Sequence, residues 1–215
     1  MRLYLDSADR SALEPLLATG LFGGVTTNPL ILQRAGVRLA EVPDLVGWLL
    51  ERTRGEVFVQ TTAPDEVDAL VAEGRSLRAL SDRLVVKIPA TVAGLTATRR
   101  LSDEGVPVLT TAVYSAAQAL LADAAGAAWI APYLGRMHAA GRNGHEEILR
   151  IQRLLSGTST RVLVASIKDS SQVVNLAASG VDAFTISTAV AHRLLAESLT
   201  EAAVGEFAAA AAALR

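Results

Sequence analysis

The sequence predicts an α/β protein, a single (β/α)8 TIM barrel with an extra C-terminal helix, and three observations carry that expectation. Eight short runs rich in Val, Ile, Leu and Thr recur along the chain, each followed by a stretch with helical spacing. The runs are apolar nearly from end to end, as strands covered on both faces are. Each run closes on a polar side chain, and in a parallel barrel those C-terminal strand ends build the site. A doubly wound open sheet is the competing arrangement, but no Gly-x-Gly-x-x-Gly turn is present to hold a dinucleotide. No linker or low-complexity tract divides the chain, so residues 1–215 are read as one domain.

The elements follow in order. Leu3-Tyr4-Leu5 is the first strand, ending at Asp6, and Ser7 is placed to cap a helix reaching Ala18. Gly23 to Thr27 is the second strand, closed by the turn signal Asn28-Pro29. A short helix over Leu30 to Arg34 and a longer one over Val42 to Arg54 come next. Glu56 to Thr61 is the third strand, and Pro64 starts a helix that runs to about Leu80, with Asp65 and Glu66 in its first turn. The fourth strand is Arg83 to Ala90, stopped by Pro89. A helix from Thr91 to Glu104 ends at Gly105, which supplies the left-handed position past a helix end.

Pro107 to Thr111 is the fifth strand, and Ser115 to Ala125 is an Ala/Leu helix. Ala128 to Tyr133 is the sixth strand. A polar loop from Gly135 to Gly144 leads to a helix over Glu146 to Leu155. Arg161 to Ser166, a helix over Ser171 to Ala178, and Ala183 to Ser187 complete the alternation. A last, Ala-rich helix covers about 195–214; it has too few polar residues for a free solvated helix and is expected to pack on a neighbouring subunit.

Composition narrows the function. Half the residues are hydrophobic, enough for a core, and the net charge of −2 gives no reason to expect nucleic acid or an anionic membrane. No run is long and apolar enough to span a bilayer. The chain has no cysteine, which removes disulfides, thiol nucleophiles and Cys-ligated metals. With Asp6 standing where a leader would be apolar, this predicts a soluble, cytoplasmic protein. The histidines His138, His145 and His192 show no carboxylate at ligand spacing on a shared helix face, so no metal site is expected.

The fourth strand carries the chemistry. Only two lysines, Lys87 and Lys168, stand beside eighteen arginines, and Lys87 sits near the end of an apolar strand. Desolvation there disfavours the ammonium and frees an amine able to attack a carbonyl and form a Schiff base. The plainer alternative is an amine that escapes to solvent or pairs with a carboxylate. The other strand ends offer Asp6, Thr27 with Asn28, Gln60, Thr111, Tyr133, Ser166 and Ser187, and such convergence marks a small-molecule site. In this reading Gln60, Thr111 and Tyr133 hold a proton-shuttling water. Asp6 orients or deprotonates a substrate hydroxyl, with Thr27 and Asn28 as binding groups. The planar fork of Arg136 suits a phosphate, with Ser166 adding a donor.

Several motifs are familiar. Leu5-Asp6-Ser7-Ala8, Gly24-Val25-Thr26-Thr27-Asn28-Pro29, Val85-Val86-Lys87-Ile88-Pro89 and Thr110-Thr111-Ala112-Val113-Tyr114 resemble the transaldolase family. So do Ala131-Pro132-Tyr133-Leu134-Gly135-Arg136 and Ala165-Ser166-Ile167-Lys168. The likeness covers nearly the whole chain and is nearest the short branch containing fructose-6-phosphate aldolase and the small transaldolases. It implies a Schiff-base lysine at Lys87, no metal or cofactor, sugar or sugar-phosphate substrates with a dihydroxyacetone-type donor, and a homo-oligomer, pentamer or decamer. In that family transaldolases typically carry Glu at the position of Gln60 and Phe at that of Tyr133, whereas the aldolases carry Gln and Tyr. The resemblance therefore implies an aldolase, with a transaldolase as the alternative. Met137-His138 after Arg136, and Thr61-Thr62 after Gln60, depart from the family pattern and bear on the acceptor.

Overall fold

The computed structural model describes residues 1–215, and its element order is a regular alternation. The strands are β1 (Arg2–Asp6), β2 (Gly24–Thr26), β3 (Val57–Gln60), β4 (Leu84–Pro89), β5 (Val108–Val113), β6 (Trp129–Pro132), β7 (Arg161–Val162) and β8 (Ala183–Ile186). The helices are α1 (Arg10–Ala18), α2 (Pro29–Arg34), α3 (Val42–Arg52), α4 (Val67–Arg78), α5 (Val92–Asp103) and α6 (Ala116–Ala124). They continue with α7 (Leu134–Ala139), α8 (Gly144–Leu154), α9 (Ser170–Ala178), α10 (Thr188–Leu195) and α11 (Ser198–Ala213).

All strands run parallel in the order β7-β6-β5-β4-β3-β2-β1-β8. Closure falls between the ends of that list. Val164, just past β7, bridges Phe184, with Val164 N–H donating to Ala183 O at 3.0 Å and Thr185 N–H to Val164 O at 2.9 Å. The sheet is therefore a barrel with helices outside, as the alternation predicts.

Two layers fill the interior. The lower one is an aromatic triangle: Tyr4, Phe58 and Trp129 meet edge to face with centroids 5.3–6.2 Å apart. Val85, Leu109 and Leu163 pack with it. Side chains alternate along a strand, so the residues two positions on point inward one layer higher. Those residues are Asp6 above Tyr4, Lys87 above Val85, Thr111 above Leu109 and Thr185 above Ala183. An apolar floor thus carries a polar ceiling. The outward faces of the strands join the helices in one continuous apolar layer that includes Leu5, Val86, Ile88, Ile130 and Ile186.

Element ends differ from expectation where capping chemistry decides. Asp9, not Ser7, caps α1, accepting from Ser11 and Ala12 N–H; Ser7 accepts from the Asp9 N–H instead. Helix α4 starts at Val67, three residues past Pro64. The segment after β6, expected to be a loop, holds α7, because Leu134 and Met137 turn inward and are buried. Helix α10 is also additional, and α11 begins at Ser198.

Glycine is required where β2 passes β3. A Cβ on Gly24 would meet the Glu56 carbonyl oxygen far inside van der Waals contact, and that oxygen accepts from Val25 N–H at 3.3 Å. Gly24→Ala is expected to destabilise the barrel by roughly 2–3 kcal/mol, read as a lowered midpoint in thermal or urea unfolding. An unchanged midpoint would mean that the two strands separate freely.

Candidate active site

A cavity of about 180 Å³ opens at the C-terminal mouth of the barrel. Its walls include Asp6, Thr26, Asn28, Arg34, Lys87, Tyr133, Arg136, Ser166, Lys168 and Thr185, with Leu109, Ala131 and Leu163 as floor.

Lys87 stands at the centre. It is only 4% exposed, and its Nζ donates to the Thr27 carbonyl oxygen at 2.6 Å. Burial drives the amine down to about 8, with the Asp6 carboxylate pulling the other way. At pH 7 about a tenth of such an amine is uncharged, against roughly one in 3000 at its ordinary value of 10.5. A neutral amine with a carboxylate beside it is equipped for nucleophilic attack on a carbonyl.

Asp6 is also shaped by burial, which raises its pKa, while Lys87, the Thr26 hydrogen bond and Lys168 lower it. Thr26 Oγ1 donates to Asp6 Oδ1 at 2.6 Å and lies 2.6 Å from Thr185 Oγ1. Thr26 has one hydroxyl proton, and the carboxylate takes it, so Thr185 is the donor in the second bond. The result is a relay, Thr185 to Thr26 to Asp6, that fixes the rotamer of the acid.

Opposite, Tyr133 shares a 2.9 Å hydrogen bond with Thr111 Oγ1. Burial raises the phenol's pKa, so it stays protonated and able to donate. Thr111 is fully buried behind it and acts through Tyr133. The β5 ladder is irregular between Thr110 and Val113, and Ala112 there has φ +55°. This bulge re-aims the strand end. The Arg136 guanidinium lies 5.1 Å from the Tyr133 ring centroid and reaches Tyr114 OH at 3.4 Å. Ser166, at φ +60°, accepts Gly135 N–H through its carbonyl at 2.8 Å, tying the β6 and β7 exits together. Asn28 caps α2 by accepting Ile31 N–H at 3.1 Å, which leaves its amide NH2 free to donate toward the cavity.

One expected residue sits differently. Thr27 faces away: its hydroxyl donates to Phe58 O at 3.2 Å, and its contribution to the site is the carbonyl that Lys87 meets. Gln60 is opposite Lys87 in the ladder register and shares the inward parity of Phe58, two positions before it, while it also borders a groove with Leu32, Val59 and Thr62. Ser187 caps α10 by accepting Val190 N–H. Thr26 and Thr185, absent from the expected set, also line the cavity, and inward–outward alternation along β2 and β8 is the sequence signal that places them there. Lys168 lines the cavity, and the neighbouring Asp169 is occupied as the α9 cap, accepting Ser171 N–H at 2.9 Å. No group of three or more His, Asp and Glu side chains is placed to hold a metal ion.

Keeping an ammonium dry destabilises the fold. The depression from 10.5 to about 8 corresponds to about 3 kcal/mol, present in full below pH 8 and relieved between about pH 8 and 10.5, where the unfolded chain alone still binds the proton. Lys87→Met is therefore expected to unfold at higher temperature than the wild type at pH 7. That advantage shrinks toward pH 10.5. A Lys87→Met chain of equal or lower stability at pH 7 would show that the amine is well solvated.

Comparison with known proteins places this architecture. Residues 3–214 match the family model described as Transaldolase/Fructose-6-phosphate aldolase. A probable transaldolase of Rhodospirillum centenum is 37% identical over 210 residues, covering 96% of this chain and 89% of that protein. The probable transaldolase of Phenylobacterium zucineum is 38% identical over 209 residues, covering 96% and 94%, and that of Thermus thermophilus is 36% identical, covering 96% of each. Among solved structures, a mandelate oxidase superposes with a TM-score of 0.59 at 16% identity, over 86% of this chain and 65% of that one, a likeness of fold alone. The chain belongs to the transaldolase/fructose-6-phosphate aldolase family.

Proposed function

We propose that the protein is a Schiff-base aldolase that forms or cleaves a C–C bond between a dihydroxyacetone-type ketone and an aldehyde such as glyceraldehyde 3-phosphate. The observation that carries this reading is Lys87, a buried amine with its pKa lowered to about 8 at the base of the mouth. Lys87 Nζ attacks the ketone carbon, and the carbinolamine loses water to give an iminium. Asp6 takes the proton of the hydroxyl on the carbon beyond the bond to be cleaved, the aldehyde leaves, and the electron pair moves into the enamine. Protonation of the enamine carbon restores the iminium, and its hydrolysis by water frees the ketone and returns Lys87.

Tyr133 supports the aldolase reading. Its protonated hydroxyl, held on Thr111, can protonate the enamine carbon through a water. Gln60 cannot ionise, so acid–base duty falls on Asp6 and Tyr133. Asn28 and the backbone of Thr27 serve the donor side, while Arg136 and Ser166 serve a phosphate. The second reading is a transaldolase, which keeps the enamine for another aldehyde; the names of the relatives support it. The cysteine-free composition supports a cytoplasmic setting.

Reduction with borohydride in the presence of dihydroxyacetone or fructose 6-phosphate is expected to leave an adduct on Lys87, read by peptide mass spectrometry. Free dihydroxyacetone accumulating from fructose 6-phosphate alone identifies the aldolase. Turnover only when a second aldehyde is added identifies the transaldolase. An adduct on Lys168, or on neither lysine, contradicts the mechanism.

Assembly is part of the same proposal. Helix α11 has no buried residue and presents Leu199, Val204 and Phe207, the last 69% exposed, to solvent. Such a helix is stable when a neighbouring copy covers it, which supports a homo-oligomer, pentameric or decameric by family resemblance. Light scattering of the full chain is expected to give a multiple of the monomer mass, and Phe207→Glu to shift it downward. A monomeric wild-type chain would contradict this.

A further inference from the structure

Charge at the mouth runs against charge over the chain. The protein carries a net −2, yet its cavity is lined by Arg34, Lys87, Arg136 and Lys168 against Asp6 alone. Arg34, Arg136 and Lys168 have no carboxylate within ion-pair distance, although Arg38, Arg75 and Arg100 each have one. A cleft of one sign with apolar walls concentrates ligands of the opposite sign.

The three free cations stand on two walls. Arg136 follows β6, and Lys168 follows β7. A Cβ built on Gly135 would lie 3.1–3.2 Å from Lys168 Cγ and Cε, so the lysine stem runs across the turn that carries Arg136. These two cations share a wall with Ser166. Arg34 belongs to α2, and the cavity residues Leu30, Ile31 and Arg34 of that helix fall at spacings of three and four on one face. Helix α2 follows β2, which lies four strands from β6 in the barrel order and so opposite it. Lys87 sits between the walls, with Nζ bonded to the carbonyl of Thr27 at the β2 exit.

We propose that Arg34 forms a second anion subsite, separate from the Arg136–Lys168 wall, so that the protein accepts ketoses bearing an anionic group on both arms of the carbonyl, of the ketose bisphosphate class. The proposal rests on Lys87 as the carbonyl-binding amine. A ketone carbon at Nζ directs one substituent toward each wall. Arg136 and Lys168 meet the phosphate of the long arm. Arg34 meets the group on the short arm, beyond the Asn28 amide. A guanidinium suits this place because its planar fork binds two phosphate oxygens at once.

The test is borohydride trapping on Lys87, followed by mass spectrometry, with fructose 6-phosphate and fructose 1,6-bisphosphate across a concentration series. Wild-type, Arg34→Ala and Arg136→Ala chains are compared; each sugar's open-chain fraction cancels in the variant-to-wild-type ratio. Arg34→Ala is expected to raise the half-saturating concentration of the bisphosphate roughly 10–100-fold, the loss of a charge-assisted contact, and to raise that of the monophosphate far less. Arg136→Ala is expected to raise both. Rescue of bisphosphate trapping by Arg34→Lys would add support. The proposal is overturned if the wild type traps the monophosphate but not the bisphosphate. It is also overturned if Arg34→Ala moves the two sugars equally, as one phosphate shared by all three cations requires, or moves neither, as a cation that merely ends α2 requires. No adduct on Lys87 with either sugar would overturn the carbonyl-binding role itself and this inference with it.

Discussion

The desolvation of one amine organises this barrel. Water around Lys87 would keep its amine charged. The fold excludes that water with an aromatic floor of Tyr4, Phe58 and Trp129 and with strands packed on every side. The amine keeps one short bond to the Thr27 carbonyl and the field of Asp6, so it is desolvated without being abandoned. Its burial and that of Asp6 are linked: each group favours the charged form of the other, and each is pushed toward neutrality by the same apolar walls. A solvated lysine would contribute more to stability and less to chemistry.

The surrounding groups divide by distance from that amine. Asp6 is aimed by a two-threonine relay from β2 and β8, and Tyr133 is aimed by Thr111 from β5. Both relays cross between strands, so the positions of the acid and the phenol depend on the register of neighbouring strands. Backbone strain appears at the same level, at Ala112 and Ser166, the two non-glycine residues with positive φ. Farther out, cations ring the mouth where chain-wide charge would not place them. The sequence order of strand ends thereby becomes a radial order, from a dry amine to a charged rim.

Strand count and the central lysine were legible in the sequence because both are local signals. Apolar runs between glycines and prolines mark the strands, and a lysine within such a run is conspicuous in a chain that otherwise uses arginine. Inward direction was less legible. Strands covered on both faces are apolar throughout, so hydropathy does not show which parity faces the axis, and Thr26 and Thr27 look alike. The structure separates them: one hydroxyl serves Asp6 and the other ties β2 to β3. Gln60 is easier to assign, since the ladder pairs it with Lys87 and it shares the parity of the inward-facing Phe58. Short helices also escaped detection. Helix α7 spans little more than one turn, and α10 merges in composition with the alanine-rich segment after it. Arg34 was unremarkable in sequence, because only folding brings α2 over the same cavity as Arg136.

Having two lysines makes the central claim directly measurable. In protein labelled with [13C]lysine, the Cε signals arise from Lys87 and Lys168 alone, and a Lys168→Arg chain assigns them. The account predicts that the Lys87 signal titrates with a midpoint of about 8. A midpoint near 10.5 would mean a hydrated ammonium at the barrel mouth and would contradict the origin of reactivity described here.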